Sequence, residues 1–265
     1  MAERTQHRPR KRFGQNFLVD AGIIERIVNA VNAKDTDAII EIGPGQGALT
    51  DRLVDSCAHL DVIEIDRDLA AEFRWRYESR NNFTLHNQDV LKFDFHTLPP
   101  VAGGYRLIGN LPYNISTPLL FHLFESRQLF RDMLFMLQLE VVDRMTADPG
   151  GKSSGRLGIM TQYYCRVEKL FRVPPTAFSP QPKVESAIVR LVPYTELPCP
   201  ARDTAMLEKV VRTAFSQRRK TLQNSLKSLA DKHVLSTLGI DGSRRPETLS
   251  LEEYVTISDA LVEVT

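Results

Sequence analysis

Cysteine is scarce: Cys57, Cys165 and Cys199 are the only 3 in 265 residues, far apart and without a C-x-x-C pair. An odd, scattered set excludes a disulfide framework and a structural zinc site, so no metal is expected. No apolar run reaches the roughly 18 residues that a membrane-crossing helix needs, and the start of the chain lacks the apolar core of a secretion signal. These absences point to the reducing cytoplasm and to no membrane partner. Internal repeats and low-complexity tracts are missing too, which sets aside solenoids and disordered arrays. Neither sign of charge dominates: 34 basic and 33 acidic residues leave +1, an average that by itself argues for no nucleic acid.

The charge is unevenly spread, however. Residues 1–12 carry Arg4, Arg8, Arg10, Lys11 and Arg12 against Glu3 alone. Residues 202–245 carry ten basic and four acidic side chains, a local +6, whereas the last twenty residues hold five acids and no Lys or Arg. A hydrophobic content of 42% suits a soluble globular chain with a sizeable core. The stretch from Pro193 to Arg202, with Pro193, Pro198 and Pro200, reads as a domain boundary. The expected organisation is a basic tail over 1–12, a sheet domain over 13–195 and a small helical domain over 200–265, acting as a monomer.

Asp20 is suited to cap a helix whose apolar positions Ile23, Ile24, Ile27, Val28 and Val31 recur at helical spacing. Ala38–Ile42 predicts a first strand, followed directly by Gly43-Pro44-Gly45-Gln46-Gly47 and a helix opening at Ala48-Leu49-Thr50. Glycines in that setting let the backbone approach a ligand beside free helix N–H groups. The Gly-x-Gly-x-Gly spacing misses the dinucleotide fingerprint, and Glu41 would repel a pyrophosphate. A cationic or zwitterionic ligand such as S-adenosylmethionine suits the loop better than NAD. Leu60–Asp66 predicts a second strand with Glu64 and Ile65 near its tip, where a carboxylate would hold a ribose diol. Phe83-Thr84-Leu85 predicts a third, leading to Asp89, which can accept from an adenine amine, with Val90 as an apolar neighbour. Singly, each acid is most often a cap or a solvated loop charge. In this order after successive strands, they form one ligand cradle.

Tyr105–Gly109 predicts a fourth strand, and Asn110-Leu111-Pro112-Tyr113 ends it. In open α/β sheets ligands meet the carboxyl ends of the strands. The Asn110 carbonyl can accept from an exocyclic amine, Pro112 stiffens the loop so that nearby carbonyls can face the same amine, and Tyr113 can stack on a base. The same four residues also suit an ordinary strand-to-helix turn with Asn as a cap. Ser116-Thr117-Pro118 predicts a helix with a hydroxyl cap, Met133–Leu137 a fifth strand, and Leu139 to about Thr146 a helix. Asp148–Gly155 is a surface loop by composition, in which Lys152 solubilises rather than binds phosphate. Leu157–Tyr164 reads as a helix, and Cys165–Phe171 and Ser186–Val192 as a hairpin joined by a proline-stiffened loop that presents Phe178 and Lys183. Five parallel strands closed by a hairpin make a Rossmann-like α/β domain. Beyond Asp203 the pattern is helical, with Leu207, Val210, Val211, Ala214 and Phe215 in one stripe and Leu222, Leu226 and Leu229 in another. Between them lie Arg218, Arg219 and Lys220, and further on Arg244 and Arg245. Such a cluster is commonly a solvated helix face, but it is also fit to neutralise an RNA backbone.

Together, Arg12-Phe13-Gly14-Gln15-Asn16-Phe17-Leu18, Glu41-Ile42-Gly43-Pro44-Gly45-Gln46-Gly47, Glu64-Ile65-Asp66, Asn110-Leu111-Pro112-Tyr113-Asn114 and Phe178-Ser179-Pro180-Gln181-Pro182-Lys183-Val184 resemble the KsgA (RsmA) family of ribosomal RNA adenine dimethyltransferases. The resemblance runs from about Arg10 to the C-terminal region, in order and spacing. It implies a class I S-adenosylmethionine-dependent methyltransferase sheet with a small helical domain. It also implies N6,N6-dimethylation of two adjacent adenosines in 16S rRNA on the small ribosomal subunit. By position it implies Asn16, Leu18, Gly43, Gly45, Glu64, Ile65, Asp89, Val90 and Asn110 around the donor. Asn110, Leu111, Pro112 and Tyr113 would lie at the reacting amine, with Tyr113 and Phe178 sandwiching the adenine. One departure is Leu139, where the family pattern leads one to expect Lys; it touches a single phosphate contact and no chemistry.

Overall fold

The computed structural model describes residues 15–217, 219–230 and 232–263. The expectations for the basic tail over 1–12, for Arg12-Phe13-Gly14 and for Arg218 fall outside them. Packing divides the chain into two units, one of residues 1–139 and 168–193, the other of 140–167 and 194–265. The expected cut near 195–200 is therefore incomplete: Glu140–Val167, assigned to the sheet domain on chain order, packs with the C-terminal helices.

The first unit is built on strands β2 (Ala38–Ile42), β3 (His59–Ile63), β4 (Phe83–His86), β5 (Tyr105–Asn110), β6 (Phe130–Gln138), β7 (Cys165–Val173) and β9 (Ser186–Pro193), ordered β4-β3-β2-β5-β6-β9-β7. Pairings from β4 through β6 are parallel and β6 to β9 is antiparallel, the expected Rossmann-like mixed sheet. A two-residue strand β1 (Phe17–Leu18) pairs antiparallel with β8 (Phe178–Ser179), a contact too short for periodicity to announce. Helices α1 (Ala21–Val31), α2 (Thr50–Leu53), α3 (Arg67–Arg76) and α4 (Ser116–Glu125) follow their strands.

Strand β2 is buried along its whole length because helices cover both faces of a parallel sheet, so it reads as an apolar run broken only by Glu41. Burying each such Ile or Leu contributes about 1.5–3 kcal/mol. Asp20 Oδ1 accepts the Ile23 amide at 2.9 Å and starts α1, whose Ile23, Ile27 and Val31 face the core. Asp66 does the same for α3, accepting from Asp68 at 3.0 Å. Helix α4 differs from expectation. Ser116 does not cap it, and its hydroxyl instead donates back to the Tyr113 carbonyl at 3.1 Å, bracing the preceding loop.

Near the amino ends of the strands, a buried ion network ties three of them together. Arg106 donates to both oxygens of Asp132 at 2.8 Å each and to Asp37 at 3.0 Å. The strand order reverses between β2 and β5, so their carboxyl ends, at Ile42 and Asn110, flank the crevice where open sheets take ligands.

The second unit holds α5 (Leu139–Met145), α6 (Arg156–Tyr164), α7 (Thr204–Ala214), α8 (Leu222–Leu226), α9 (Lys232–Thr237) and α10 (Leu251–Val262). Asp203 caps α7, and Ser250 with Glu253 forms a capping box on α10. Of the predicted stripe, Leu207, Val210, Val211 and Ala214 are fully buried, and Phe215, at the C-terminal end of α7, is half-buried. Arg219 and Lys220 are not helical: they sit in the connection between α7 and α8 rather than on a helix face. Among the described residues no helix is long and apolar enough to cross a membrane.

Candidate active site

A cavity of about 320 Å³ opens at the carboxyl ends of β2, β3 and β5. Five segments build it: Gln15–Phe17, the glycine turn after β2, the acidic turns after β3 and β4, and Asn110–Ile115 after β5. Of the residues expected around a donor, Asn16, Gly43, Gly45, Glu64, Ile65, Asp89, Val90 and Asn110 line it, as do Leu111, Pro112 and Tyr113. Gln15, which belongs to the first motif, also lines it, as do Gln88 and Leu91; none of the three is among the residues expected around the donor. Gln88 and Leu91 border Asp89 in sequence, which was the available signal.

Two expected residues stand elsewhere. Leu18 borders a smaller adjoining recess of about 30 Å³, shared with Glu41, Gly43, Gly45, Gln46 and Asn110. Phe178 is 4% exposed, registers opposite Leu18 and belongs to the hydrophobic core, outside the walls of both cavities. The expected aromatic sandwich is therefore not assembled: Tyr113 lines the cavity without Phe178. An apolar ring beside a short strand pair gains more from joining the core than from facing water.

Asn110 is oriented by the chain itself. Its Nδ2 donates to the main-chain carbonyl of Asn16 at 3.1 Å. The Oδ1 is thereby turned away from that carbonyl and meets no donor among the described residues. The Leu111 amide donates to Met136 at 3.2 Å, while no donor among the described residues takes the Leu111 carbonyl. Tyr113 is held at its phenol by the buried Ser186 hydroxyl, 2.7 Å away.

The acids differ in environment. Glu64 is buried, and burial pushes its carboxyl up to about 7, against the pull of hydrogen bonds from the amides of Asp66, Ile65 and Gly45. Its Oε1 accepts the Asp66 amide at 2.7 Å, which bends the chain out of β3 sooner than the predicted strand end at Asp66. Glu41 is buried deeper, and burial raises it to about 8 although Thr50 donates to it at 2.6 Å. Its repulsion of a pyrophosphate is thus weaker than a full charge implies. Asp89 uses Oδ1 to cap a short 3₁₀ turn through the Leu91 amide at 3.0 Å. Both roles foreseen for such acids, cap and cavity wall, meet in this one residue.

Gly43 and Gly45 adopt positive φ, at 64° and 60°. A Cβ on Gly43 would have the Asn110 carbonyl, 3.9 Å away, as its nearest neighbour, so it would project into open space at the cavity. Glycine backbone, two carboxyls and an apolar floor from Ile63, Ile65 and Val90 fit an adenosine carrying a polar tail. Among the described residues no group of side chains is arranged to hold a metal ion, and neither histidine nor cysteine lines the cavity.

In the helical unit, Arg219, Lys220 and Arg245 are exposed. Arg244 is not free. It is ion-paired to Glu253 and donates to the Thr248 carbonyl at 2.6 Å.

Comparison with known proteins agrees with this architecture. The profile described as ribosomal RNA adenine dimethylase matches residues 6–263. Ribosomal RNA small subunit methyltransferase A of Pseudomonas syringae pv. syringae is 58% identical over 263 residues, covering 99% of this chain and 98% of its own. The protein of the same name in Pseudomonas aeruginosa is 54% identical over 264 residues, covering 100% and 98%. The crystal structure of a dimethyladenosine transferase from Plasmodium falciparum superposes with a TM-score of 0.76 at 28% identity, over 91% of this chain and 95% of that one. That of the 23S rRNA methyltransferase ErmE gives 0.72 at 27% identity, over 93% and 100%. The sheet is that of the class I methyltransferases, and the chain belongs to the ribosomal RNA adenine dimethylase family.

Proposed function

We propose that this protein transfers methyl groups from S-adenosylmethionine to N6 of two adjacent adenosines, dimethylating each, in the 3′-terminal hairpin loop of 16S rRNA during late small-subunit assembly. It does so as a cytoplasmic monomer, without a metal. The observation that carries this reading is the fixed Asn110 amide, with its Oδ1 turned away from Asn16, in the same cavity as Gly43, Glu64 and Asp89. The length-wide match to small-subunit methyltransferases supports the choice of RNA.

When bound, S-adenosylmethionine supplies a methyl group that a nucleophile can take directly. Glu64 is placed to accept from the ribose hydroxyls, Asp89 from the adenine amine of the donor through its second oxygen, and Ile65 and Val90 to cover the ring. The methionine portion would lie toward the glycine turn, where the small recess lined by Gly43, Gly45 and Glu41 adjoins the cavity. For the target base, Asn110 Oδ1 and the Leu111 carbonyl are the acceptors for N6–H. Accepting from the amine favours a pyramidal nitrogen whose lone pair is no longer spread into the ring. Tyr113, anchored through Ser186, offers its ring face to the base. Catalysis is then positioning plus electrostatics, with the amine proton passing to solvent. Arg219, Lys220 and Arg245 in the helical unit meet RNA phosphates.

The test is incubation with S-adenosylmethionine and unmodified small subunits, with large subunits in a parallel reaction, followed by mass spectrometry of the RNA. Dimethyladenosine in the 3′-terminal hairpin of 16S rRNA is the expected result. Modification confined to 23S rRNA, or none in either, would overturn the proposal.

A further inference from the structure

The glycine turn that walls the donor side of the cavity is braced from behind by a residue that touches neither cavity. Arg76, in the last turn of α3, donates through Nη1 to the main-chain carbonyl of Gln46 at 3.1 Å and to Asp51 Oδ1 at 3.2 Å. Its Nη2 is paired with Glu72, and its guanidinium stands 5.4 Å over the Phe73 ring. Asp51 lies in the first turn of α2 and also receives the Tyr77 hydroxyl. One guanidinium thus joins the end of α3, the start of α2 and the turn between β2 and α2.

Main-chain bonds hold other parts of that turn. The Pro44 carbonyl accepts from Gly47 at 3.0 Å and the Gly47 carbonyl from Asp51 at 2.9 Å, while the Gly43 amide donates to Ile63 at 3.0 Å. The Glu64 carboxyl takes the Gly45 amide from the cavity side, and Arg76 supplies the side-chain bond from behind, at the residue next to cavity-lining Gly45. Gly47 lines neither cavity. A Cβ there would come within 2.6 Å of Arg76 Nη1, and its φ is 91°. The third glycine of Gly-x-Gly-x-Gly is accordingly explained by its left-handed backbone, with Arg76 packed closely over it, and not by lining a cavity. A planar fork can bridge a carbonyl and a carboxylate at once, which a lysine ammonium does less rigidly.

We infer that Arg76 is a positioning residue for the methyl donor: it holds the Gln46 carbonyl, and with it the Gly43–Gly45 backbone, in the shape the donor requires. This rests on the donor site proposed above. A remote brace affects binding of the ligand whose wall it fixes and leaves the other substrate alone. The expectation for Arg76→Ala is a rise of about tenfold in the Kd for S-adenosylhomocysteine and in KM for S-adenosylmethionine. KM for small subunits, and kcat at saturating donor, stay at the wild-type level. Arg76→Lys recovers part of the donor affinity, and Glu72→Gln, which removes only the outer partner, leaves it unchanged.

The experiment is calorimetric titration of the full chain and its variants with S-adenosylhomocysteine, beside steady-state kinetics in both substrates and a thermal melt. Folded Arg76→Ala with wild-type Kd overturns the inference. So does a loss shared equally by donor KM, RNA KM and kcat, since that is what general destabilisation gives. If Arg76→Ala does not fold, Arg76→Lys decides, because an unchanged Kd there together with a lowered melting temperature assigns Arg76 to stability alone. Failure of the wild-type chain itself to bind S-adenosylhomocysteine is separate, and would sink the donor site rather than the brace.

Discussion

The Asn110 side chain donates its Nδ2 to the Asn16 carbonyl at 3.1 Å, across 94 positions of sequence. That bond fixes which end of the amide faces the cavity. Substituting Asn110→Asp removes the donor and sets a carboxylate against a carbonyl; Asn110→Ala removes the acceptor for N6. Both variants should lose about 100-fold or more in kcat on small subunits. The wild-type rate in either, measured by methyl incorporation, would remove Asn110 from the chemistry.

The sheet was legible because its signals are local. Apolar runs such as Ala38–Ile42 and Tyr105–Gly109, each ending in a polar or glycine-rich turn, mark strand and site together. The acids Glu64 and Asp89 and the Asn110 loop converge because parallel strands all point their carboxyl ends the same way. What sequence could not show depends on distant partners. The β1–β8 pair joins residues some 160 positions apart and draws Phe178 into the core, whereas its motif suggested a base-stacking ring. Glu140–Val167 looks like a continuation of the sheet domain, and only packing reveals its allegiance to the C-terminal helices. Arg244 looked like part of a basic patch until Glu253, nine residues on, was seen to claim it.

Burial raises Glu64 to about 7, so the free protein carries this carboxyl neutral below that pH and ionised above it. Ribose hydroxyls donate more strongly to the ionised form. Donor affinity should therefore climb by about tenfold between pH 6 and pH 8, as the ionised fraction grows through the pKa. Glu64→Gln should bind more weakly at pH 8 and show a flat profile. Titration with S-adenosylhomocysteine at several pH values checks this, and a wild-type affinity that falls with rising pH contradicts it.

Glu41 bears on stability with a definite sign. Burial lifts its folded-state value to about 8 from an ordinary 4.5, so the folded protein binds this proton more tightly than the unfolded chain does. The associated stabilisation is complete below about pH 4.5 and is lost as the pH rises to 8. Glu41→Gln keeps an acceptor for Thr50 and carries no charge. It should match the wild type near pH 5 and exceed it in urea midpoint at pH 8.5.

Arg106, on β5, compensates two buried or nearly buried acids, Asp37 just ahead of β2 and Asp132 on β6. Arg106→Ala leaves both carboxylates without that partner, and Arg131 still reaches only Asp37. The expected cost is about 3–5 kcal/mol in denaturant unfolding, far more than for a surface pair. Since the network lies near the amino ends of the strands, a variant that remains folded should keep its donor affinity.

Arg245 and Arg244 are adjacent in sequence and should behave differently. Arg245 is exposed, with Glu247 3.9 Å away, and with Arg219 and Lys220 it is available to phosphates. Replacing each of these three with Ala should weaken binding to small subunits and lower the slope of log K against log salt by about 1 apiece. Arg244 is tied to Glu253 and the Thr248 carbonyl, next to the capping box of α10. Arg244→Ala should lower the melting temperature and leave the salt slope of the remaining folded protein near wild type. A salt slope reduced as much by Arg244→Ala as by Arg245→Ala would return Arg244 to the RNA-binding surface.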